Sequence, residues 1–246
     1  MPAGVAGSPH ASLSQSSFTA ADIRSLCWRG DELVDWVGGG RAFASNGTER
    51  RASVRYSYRF DAATTSPDGG FAVIYERLGT KGLLLHDGRI IRELDRSFYY
   101  ANAYEYPVAL FNAPDGRLLL AHCSGNYCRI ELEQAETGRS LTASAERKPS
   151  DFFHSRLVAS AHGTRLLSAG WIWHPLSLVV RFDVAQPSQI RVTSMAMVYP
   201  RRSTRVWPRR ARPVGLTMTA LPWLPRLRTN RIGSRMMADC GFVRVG

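Results

Sequence analysis

The sequence lacks several features that would assign it to a class directly. No stretch approaches the roughly 18 consecutive apolar residues of a membrane-spanning helix, and residues 1–18 have neither the basic start nor the apolar centre of a secretory signal. Cysteine is scarce, at four in 246 residues, which excludes a disulfide framework. These absences favour a cytoplasmic protein whose thiols are reduced.

Motifs that carry chemistry are also missing. The chain has no Gly-x-Ser-x-Gly elbow, no phosphate-cradling Gly loop and no dinucleotide fingerprint. The metal-capable cluster of His122, Cys123 and Cys128 has no second ligand pair at zinc-site spacing, so we interpret it as two thiols flanking a hairpin. We therefore expect no catalytic residue, no metal site and no cofactor.

The formal net charge of +12 is concentrated near one end of the chain. Residues 186–246 hold 12 Arg, no Lys and a single acid, Asp239, whereas residues 1–185 hold 20 basic and 19 acidic side chains. The larger part of the protein is thus close to neutral, and a nucleic-acid partner is expected only if the basic segment is genuine.

One short motif recurs along the chain. Its first clear copy is Ser-Pro-Asp-Gly-Gly followed by an apolar run, and its copies lie at residues 66–74, 113–120, 160–167 and, in degenerate form, 28–34. The interval from Asp68 to Asp115 is 47 residues, and the interval from Asp115 to His162 is again 47. Equal intervals indicate a structural repeat, and its turns contain Asp68, Gly69, Asp115, Gly116, His162 and Gly163.

Each repeat unit divides into four short strands and has no helical pattern. The second strand is apolar on both faces, as in residues 71–74 and 118–120, which predicts that neighbouring sheets cover both sides. The dipeptides Asn46-Gly47 and Asp87-Gly88 predict two-residue type I′ hairpins. We interpret the Asp of the repeated turns as a partner of the turn backbone. Four strands per unit at a period in the forties are typical of a β-propeller.

The Ser-Pro-Asp-Gly turn at residues 66–69, with its copies at 113–116 and 160–163, resembles bacterial WD-repeat-like propellers, especially TolB-type repeats. The Trp-Asp and Gly-His pairs of strict WD repeats are absent. The resemblance covers residues 22–185 and implies an all-β fold, a partial propeller of about three and a half four-stranded blades. The resemblance does not imply a function, because the propeller fold occurs in proteins with many different functions.

The predicted organisation is a disordered leader, an incomplete propeller and an irregular basic tail. These are residues 1–18, 22–185 and 186–246, with blades at about 22–58, 60–95, 107–146 and 155–185. The tail begins where the fourth unit should make its outer strand, and five of the six Met lie in it. We interpret it as read in a shifted frame or disordered; the alternative is a genuine Arg-, Pro- and Trp-rich arm that binds an anionic surface or nucleic acid.

Aromatic residues cluster in the connectors that precede the first strand of each unit. Such connectors gather on one face of a propeller, where partners dock, and Tyr often anchors interfaces. The alternative is that the rings pack between blades. The predicted partner-binding residues are Tyr56, Tyr58, Tyr99, Tyr100, Tyr104, Tyr106, Phe152 and His154.

The favoured function is a non-catalytic module that binds a protein or peptide through this face. Two alternatives remain open: a propeller-type enzyme or accessory domain, a hydrolase or lyase with its site in the central channel, and a pseudogene product with no function. An incomplete propeller also leaves sheet edges and a blade face uncovered, so self-association is expected.

Overall fold

The computed structural model describes residues 14–52, 54–142, 147–172, 176–186, 190–197, 214–220 and 244–245. Every regular element in these ranges is a β-strand, as the all-β prediction requires. The described residues accordingly contain no helix of the length and apolarity needed to cross a membrane.

One strand, β1 (Ser14–Ala20), precedes four antiparallel sheets that follow one another along the chain. The first sheet contains β2 (Cys27–Arg29), β3 (Glu32–Asp35), β4 (Arg41–Ala44) and β5 (Glu49–Arg50). The second contains β6 (Ala62–Thr65), β7 (Phe71–Tyr75), β8 (Lys81–His86) and β9 (Arg89–Asp95). The third contains β10 (Val108–Asn112), β11 (Leu118–His122) and β12 (Glu131–Gln134). The fourth contains β13 (Leu157–Ala159), β14 (Arg165–Ile172), β15 (Leu176–Asp183) and β16 (Arg191–Met197).

Each sheet is a meander, because its strands pair in the order in which they occur along the chain. The first strands of successive sheets, β2, β6, β10 and β13, contact one another in turn, so they line a common axis. Sequential antiparallel sheets with their first strands around an axis are the blades of a β-propeller. The described strands of the fourth sheet do not pack against those of the first, so the propeller is partial and open.

The repeated turns occupy equivalent positions between the first two strands of their sheets. The amide of Gly69 donates to the Ser66 carbonyl (2.9 Å), Gly116 donates to Ala113 (2.9 Å) and Gly163 donates to Ser160 (2.8 Å). All three glycines have positive φ, at 75°, 84° and 63°. The backbone amides of Gly70 and Arg117 donate to the carboxylates of Asp68 and Asp115, each at 3.1 Å, whereas the side chain of His162 is exposed.

The core lies between the sheets rather than within any one of them. Both faces of β7 are buried along its whole length, as its unbroken apolar run predicts. Ile74 packs against the first sheet, whereas Val73 and Tyr75 pack toward the third. Leu119 and Phe182 belong to the cluster between the third and fourth sheets. Burying each such side chain contributes about 1.5–3 kcal/mol, so a blade depends on its neighbours for stability.

The prediction that the fourth unit has no outer strand is wrong. β16 pairs antiparallel with β15. The pairing runs from Asp183 opposite Arg191 to Leu178 opposite Met197, with a bulge between Arg181 and Phe182. The prediction missed this strand because the composition changes after residue 185. In β16, Val192 and Met195 lie on the same face of the sheet as Phe182 and Val180. Of the remaining tail, only β17 (Val214–Ala220) and β18 (Arg244–Val245) are among the described residues; the expectation for the rest concerns residues outside them.

Two further expectations need correction in the first and third sheets. The turn at Asn46-Gly47 is not type I′, because only Gly47 has a positive φ; its amide donates to the Ala44 carbonyl instead. Asp87 and Gly88 both have positive φ, as a type I′ turn requires. The fourth strand expected within the third blade, residues 107–146, is represented in the described residues by one bridge between Glu133 and Ser140.

Residues 14–18 of the predicted leader belong to β1, and the expectation for residues 1–13 concerns residues outside the described ranges. β1 pairs with β17, which in turn pairs with β18. The ring of Phe18 stacks on that of Phe43 at 5.6 Å, and Ile23 and Leu26 pack on the same cluster. The outer face of the first sheet is therefore covered, which leaves the fourth sheet as the place where a blade face is exposed, as at Val158.

Candidate interaction face

The connector between the second and third sheets is held in place by a buried arginine. The Arg96 guanidinium donates hydrogen bonds to the carbonyls of Gly79 (2.7 Å), Ala101 (2.7 Å) and Tyr104 (3.0 Å). It also lies over the rings of Tyr104, at 4.5 Å, and Tyr106, at 5.0 Å. Burial lowers the pKa of Arg96. Because one planar guanidinium bonds to two carbonyls of residues 97–106 and contacts two of their rings, it restrains this connector.

Three consecutive aromatic side chains project from this connector into solvent. Phe98 is 87% exposed, Tyr99 43% and Tyr100 56%. Tyr100 has a φ of 50°, in the left-handed region that residues with a β-carbon rarely adopt. The surrounding turns enforce this conformation: the amide of Ala101 donates to the Phe98 carbonyl at 3.1 Å, and that of Ala103 donates to the Tyr100 carbonyl at 2.8 Å.

A row of stacked rings lies beside the exposed aromatics. Phe153 stacks between Tyr127, at 4.4 Å, and Trp171, at 4.0 Å with planes 6° apart. Tyr99 stacks on the same Phe153 ring at 5.8 Å. The Tyr127 hydroxyl donates to the Asp151 carboxylate at 2.7 Å, which raises the pKa of Tyr127 to about 12. The row joins the connectors before the third and fourth sheets into one surface.

The two neighbours of Phe153 point the other way. Phe152 and His154 are buried between the third and fourth sheets, because successive side chains of an extended segment face opposite sides. His154 Nδ1 lies 3.0 Å from the Ser168 hydroxyl, and Nε2 lies 3.2 Å from the Cys128 carbonyl. Burial lowers the pKa of His154 to about 4, so the ring is neutral at pH 7.

Tyr56 and Tyr58 form a separate cluster on the connector before the second sheet. Their rings lie 6.0 Å and 5.0 Å from that of Phe60. The Tyr58 hydroxyl donates to Glu76 at 2.7 Å, and this bond raises the pKa of Tyr58. The structure describes no ring contact between this pair and the Phe153 row, so these two tyrosines are not part of that surface.

The structure divides the predicted partner-binding set by exposure. Tyr104, Tyr106, Phe152 and His154 are buried, so their side chains are not accessible from solvent. Tyr106 packs against Tyr75 in the core between the second and third sheets, at 5.6 Å. Tyr99 and Tyr100 lie together on the surface. The prediction omitted Phe98, which is exposed, and the supporting rings of Phe153, Tyr127 and Trp171, of which Phe153 is buried.

A polar groove of about 670 Å³ borders the aromatic row near the start of the inner strands. Trp171 and Tyr104 line one part of it. Two ion pairs lie in its wall: Arg156 with Glu105 at 2.9 Å, and Arg77 with Asp61 at 3.5 Å. Both signs of charge are present, so the groove suits the polar backbone and mixed side chains of a peptide better than an ion of one sign.

Two members of the metal-capable cluster, Cys123 and His122, lie among residues that bury them or pair with them. Cys123 is buried, and burial raises its thiol pKa. His122 Nε2 lies 3.3 Å from Glu133, which also pairs with Arg92. Within the described residues, no three His, Cys, Asp or Glu side chains come together as metal ligands would. The aromatic row and the neighbouring groove can therefore contact a partner by ring stacking, apolar packing and ion pairing.

No family model and no curated protein matches the chain. Among solved structures, the chain is similar to a hydrazine synthase from Kuenenia stuttgartiensis, at 14% identity over 84% of this chain and 58% of that one, with a TM-score of 0.47. It is also similar to Hsv2 from Kluyveromyces lactis, at 10% identity over 70% of this chain and 61% of that one, with a TM-score of 0.41. The chain thus spans less than two thirds of either protein, and the propeller assignment rests on the sheet order and turns.

Proposed function

We propose that this propeller is a non-catalytic module that binds a segment of another protein at the aromatic surface formed by Phe98, Tyr99 and Tyr100. One observation carries the proposal: three consecutive aromatic side chains are exposed on a connector that a buried arginine holds rigid. Exposed apolar patches of this kind mark sites of interaction.

Rigidity is what makes these side chains useful for binding. Ordering a loop on association opposes binding, and a connector already fixed by Arg96 needs little further ordering. The left-handed backbone at Tyr100 points in the same direction, because such strain persists where surrounding structure enforces it and is concentrated at functional sites. Phe153 and Trp171 support the patch from below as a stacked platform.

The partner segment has an apolar or aromatic anchor and charged residues on either side of it. The anchor contacts Phe98 and Tyr100, and the flanking residues lie over the groove that contains the Arg156–Glu105 and Arg77–Asp61 pairs. This arrangement places an aromatic centre beside a polar rim, as in known interfaces.

Two finer inferences accompany this proposal. The Ser66–Pro67–Asp68–Gly69 turn supports a relationship with TolB-type, WD-like repeats. The scarcity of cysteine and the raised thiol pKa values of Cys27 and Cys123 are compatible with a reducing compartment, and we infer a cytoplasmic location.

Selection from a random peptide library displayed on phage tests the proposal directly. We expect peptides selected on the full chain to bind with measurable affinity by fluorescence anisotropy. The triple variant Phe98→Ser, Tyr99→Ser, Tyr100→Ser is expected to weaken them by about thirtyfold or more, since the loss of a single aromatic anchor costs about 2 kcal/mol or more. All three side chains are exposed, so the variant is expected to fold.

The matched control is Ile90→Ser on the outer strand β9, where an apolar side chain is 55% exposed and distant from the proposed surface. This change should leave the selected peptides' affinity unaltered. If the selected peptides bind the triple variant as tightly as the unaltered protein, the aromatic surface is not the binding site.

A further inference from the structure

A second cavity lies between the third and fourth sheets, on the side of residues 152–154 that Phe152 and His154 face. It has a volume of about 270 Å³. Its floor is apolar and buried, and it is formed by Ile130, Phe152, Val180 and Phe182. His154 completes the floor with its ring edge against Phe152 at 4.8 Å. A site of this size lies just below the range of about 300–1,000 Å³ typical of small-molecule pockets, so its occupant is small.

The outer wall of the cavity is built from apolar side chains that the fold leaves accessible. Val192 is paired with Phe182 and Met195 with Val180, so both point to the same side of the fourth sheet as the buried floor. Val192 is nevertheless 57% exposed and Met195 49%. Apolar side chains that face an accessible cavity are available to a ligand, in contrast to those packed between blades.

The opposite rim is cationic. Arg129, Arg147 and Lys148 line it, and the acid in contact with the two arginines is Glu131, at 2.5 Å from Arg129 and 2.7 Å from Arg147. Three positive charges therefore face one negative charge. Among the described residues, the Arg147 Nε–H group is buried and has no hydrogen-bond acceptor. A buried donor without an acceptor is costly and adds to the unbalanced positive charge of this rim.

We propose that this cavity binds a small carboxylate with an unbranched apolar chain. The carboxylate lies at the rim beside Arg147 and Lys148, and the chain lies along Phe152, Val180 and Val192. The surplus of positive charge favours an anion over a cation as the ligand. The apolar floor favours an anion with an apolar chain over an inorganic ion. The neutral state of His154 keeps the floor apolar at pH 7.

Titration calorimetry with octanoate tests the site on the full chain. We expect saturable binding of octanoate, with 1-octanol at least about tenfold weaker because it lacks the charge that the arginines recognise. Octylammonium, which has the same chain and the opposite charge, is expected not to bind. Equal binding of octanoate and 1-octanol would overturn the role assigned to the cationic rim, and absence of octanoate binding at millimolar concentration would overturn the site itself.

Three exposed positions provide variants that leave the fold intact. Val192→Asp places a negative charge in the wall and should weaken octanoate by about tenfold or more, because it faces the ligand with a like charge. Val158→Asp is the matched control: this valine is 58% exposed, on β13, outside the cavity. Lys148→Gln should weaken octanoate by about threefold and leave 1-octanol unchanged. Equal effects of Val192→Asp and Val158→Asp would place octanoate elsewhere.

Discussion

His154 and Ser168 connect the segment before the fourth sheet to that sheet's second strand. Nδ1 of His154 lies 3.0 Å from Oγ of Ser168, and both side chains are buried. Nε2 faces the Cys128 carbonyl, which can only accept, so Nε2 carries the proton of the neutral ring, while the Ser168 hydroxyl donates to the Ser155 carbonyl at 3.2 Å. Burial at this position disfavours the charged form of the ring.

Acid should destabilise the protein through His154. Its pKa is about 4 in the folded state against an ordinary 6.5, so the unfolded chain takes up a proton first as the pH falls. The stabilising effect is complete above pH 6.5 and is lost as the pH falls toward 4, and it amounts to about 3 kcal/mol at 1.36 kcal/mol per pKa unit. Urea unfolding at pH 7.5, 6 and 5 measures it.

The variant His154→Gln should flatten this pH dependence, although it also lowers stability at pH 7.5. His162→Gln, at an exposed turn, provides the control and should leave the pH dependence as it is. An unchanged slope between pH 6.5 and 5 in His154→Gln would show that other groups cause the acid sensitivity.

Arg96→Met should loosen the connector that presents Phe98 to Tyr100. The substitution retains much of the apolar volume but leaves the carbonyls of Gly79, Ala101 and Tyr104 without their donor. The expected loss is about 3 kcal/mol of unfolding free energy, because charge-assisted hydrogen bonds are lost inside the protein. Relative to the unaltered protein, Arg96→Met should accelerate backbone hydrogen exchange more in residues 97–106 than in β7.

Arg89→Met, on the exposed outer strand β9, serves as the control for charge removal. It should change the free energy of unfolding by less than about 0.5 kcal/mol and leave hydrogen exchange in residues 97–106 unaltered. Arg96→Lys retains the charge but cannot reach three carbonyls at once, so it should resemble Arg96→Met. Full stability of Arg96→Lys would mean that charge alone, and not the geometry of the guanidinium, holds the connector.

Local features were accessible to sequence reasoning, and long-range ones were not. The turns at Asp68 and Asp115 follow from the conformational preferences of Pro, Asp and Gly within a few residues. β16 was missed because its surroundings are rich in Arg, although Val192 and Met195 complete the face of the fourth sheet. The exposure of Tyr99 and the burial of Tyr104 depend on where Arg96 and Phe153 lie, which no local pattern reports.

Asp35 fixes the segment before the first sheet, and its amide variant should weaken that sheet. The buried carboxylate accepts hydrogen bonds from the amides of Arg24 (3.0 Å), Ser25 (2.9 Å) and Gly38 (2.8 Å), and from the Ser25 hydroxyl (2.9 Å). Asp35→Asn replaces one acceptor oxygen with a donor that faces other donors. We expect a loss of about 2 kcal/mol in urea unfolding. Asp31→Asn, at an exposed turn, should cost less than about 0.5 kcal/mol.

Gly163 and Gly116 occupy the same position of successive repeat turns, yet alanine should affect them differently. Both have positive φ, 63° and 84°, so alanine at either site costs about 1–2 kcal/mol in backbone strain. A β-carbon on Gly163 would lie 1.7 Å from the Asn112 carbonyl oxygen of the preceding sheet, whereas one on Gly116 would meet nothing within 4 Å. Gly163→Ala must therefore also displace one blade from the next.

We expect Gly163→Ala to destabilise the protein by at least about 2 kcal/mol more than Gly116→Ala, as measured by urea unfolding of the two variants side by side. The difference reports blade-to-blade packing, because the turn strain is common to both. The Gly69 turn packs in the same way on Arg29 of the first sheet, at 2.6 Å from a β-carbon to its Cα, so Gly69→Ala should resemble Gly163→Ala. Equal losses at Gly163 and Gly116 would contradict the close approach of successive blades around the axis.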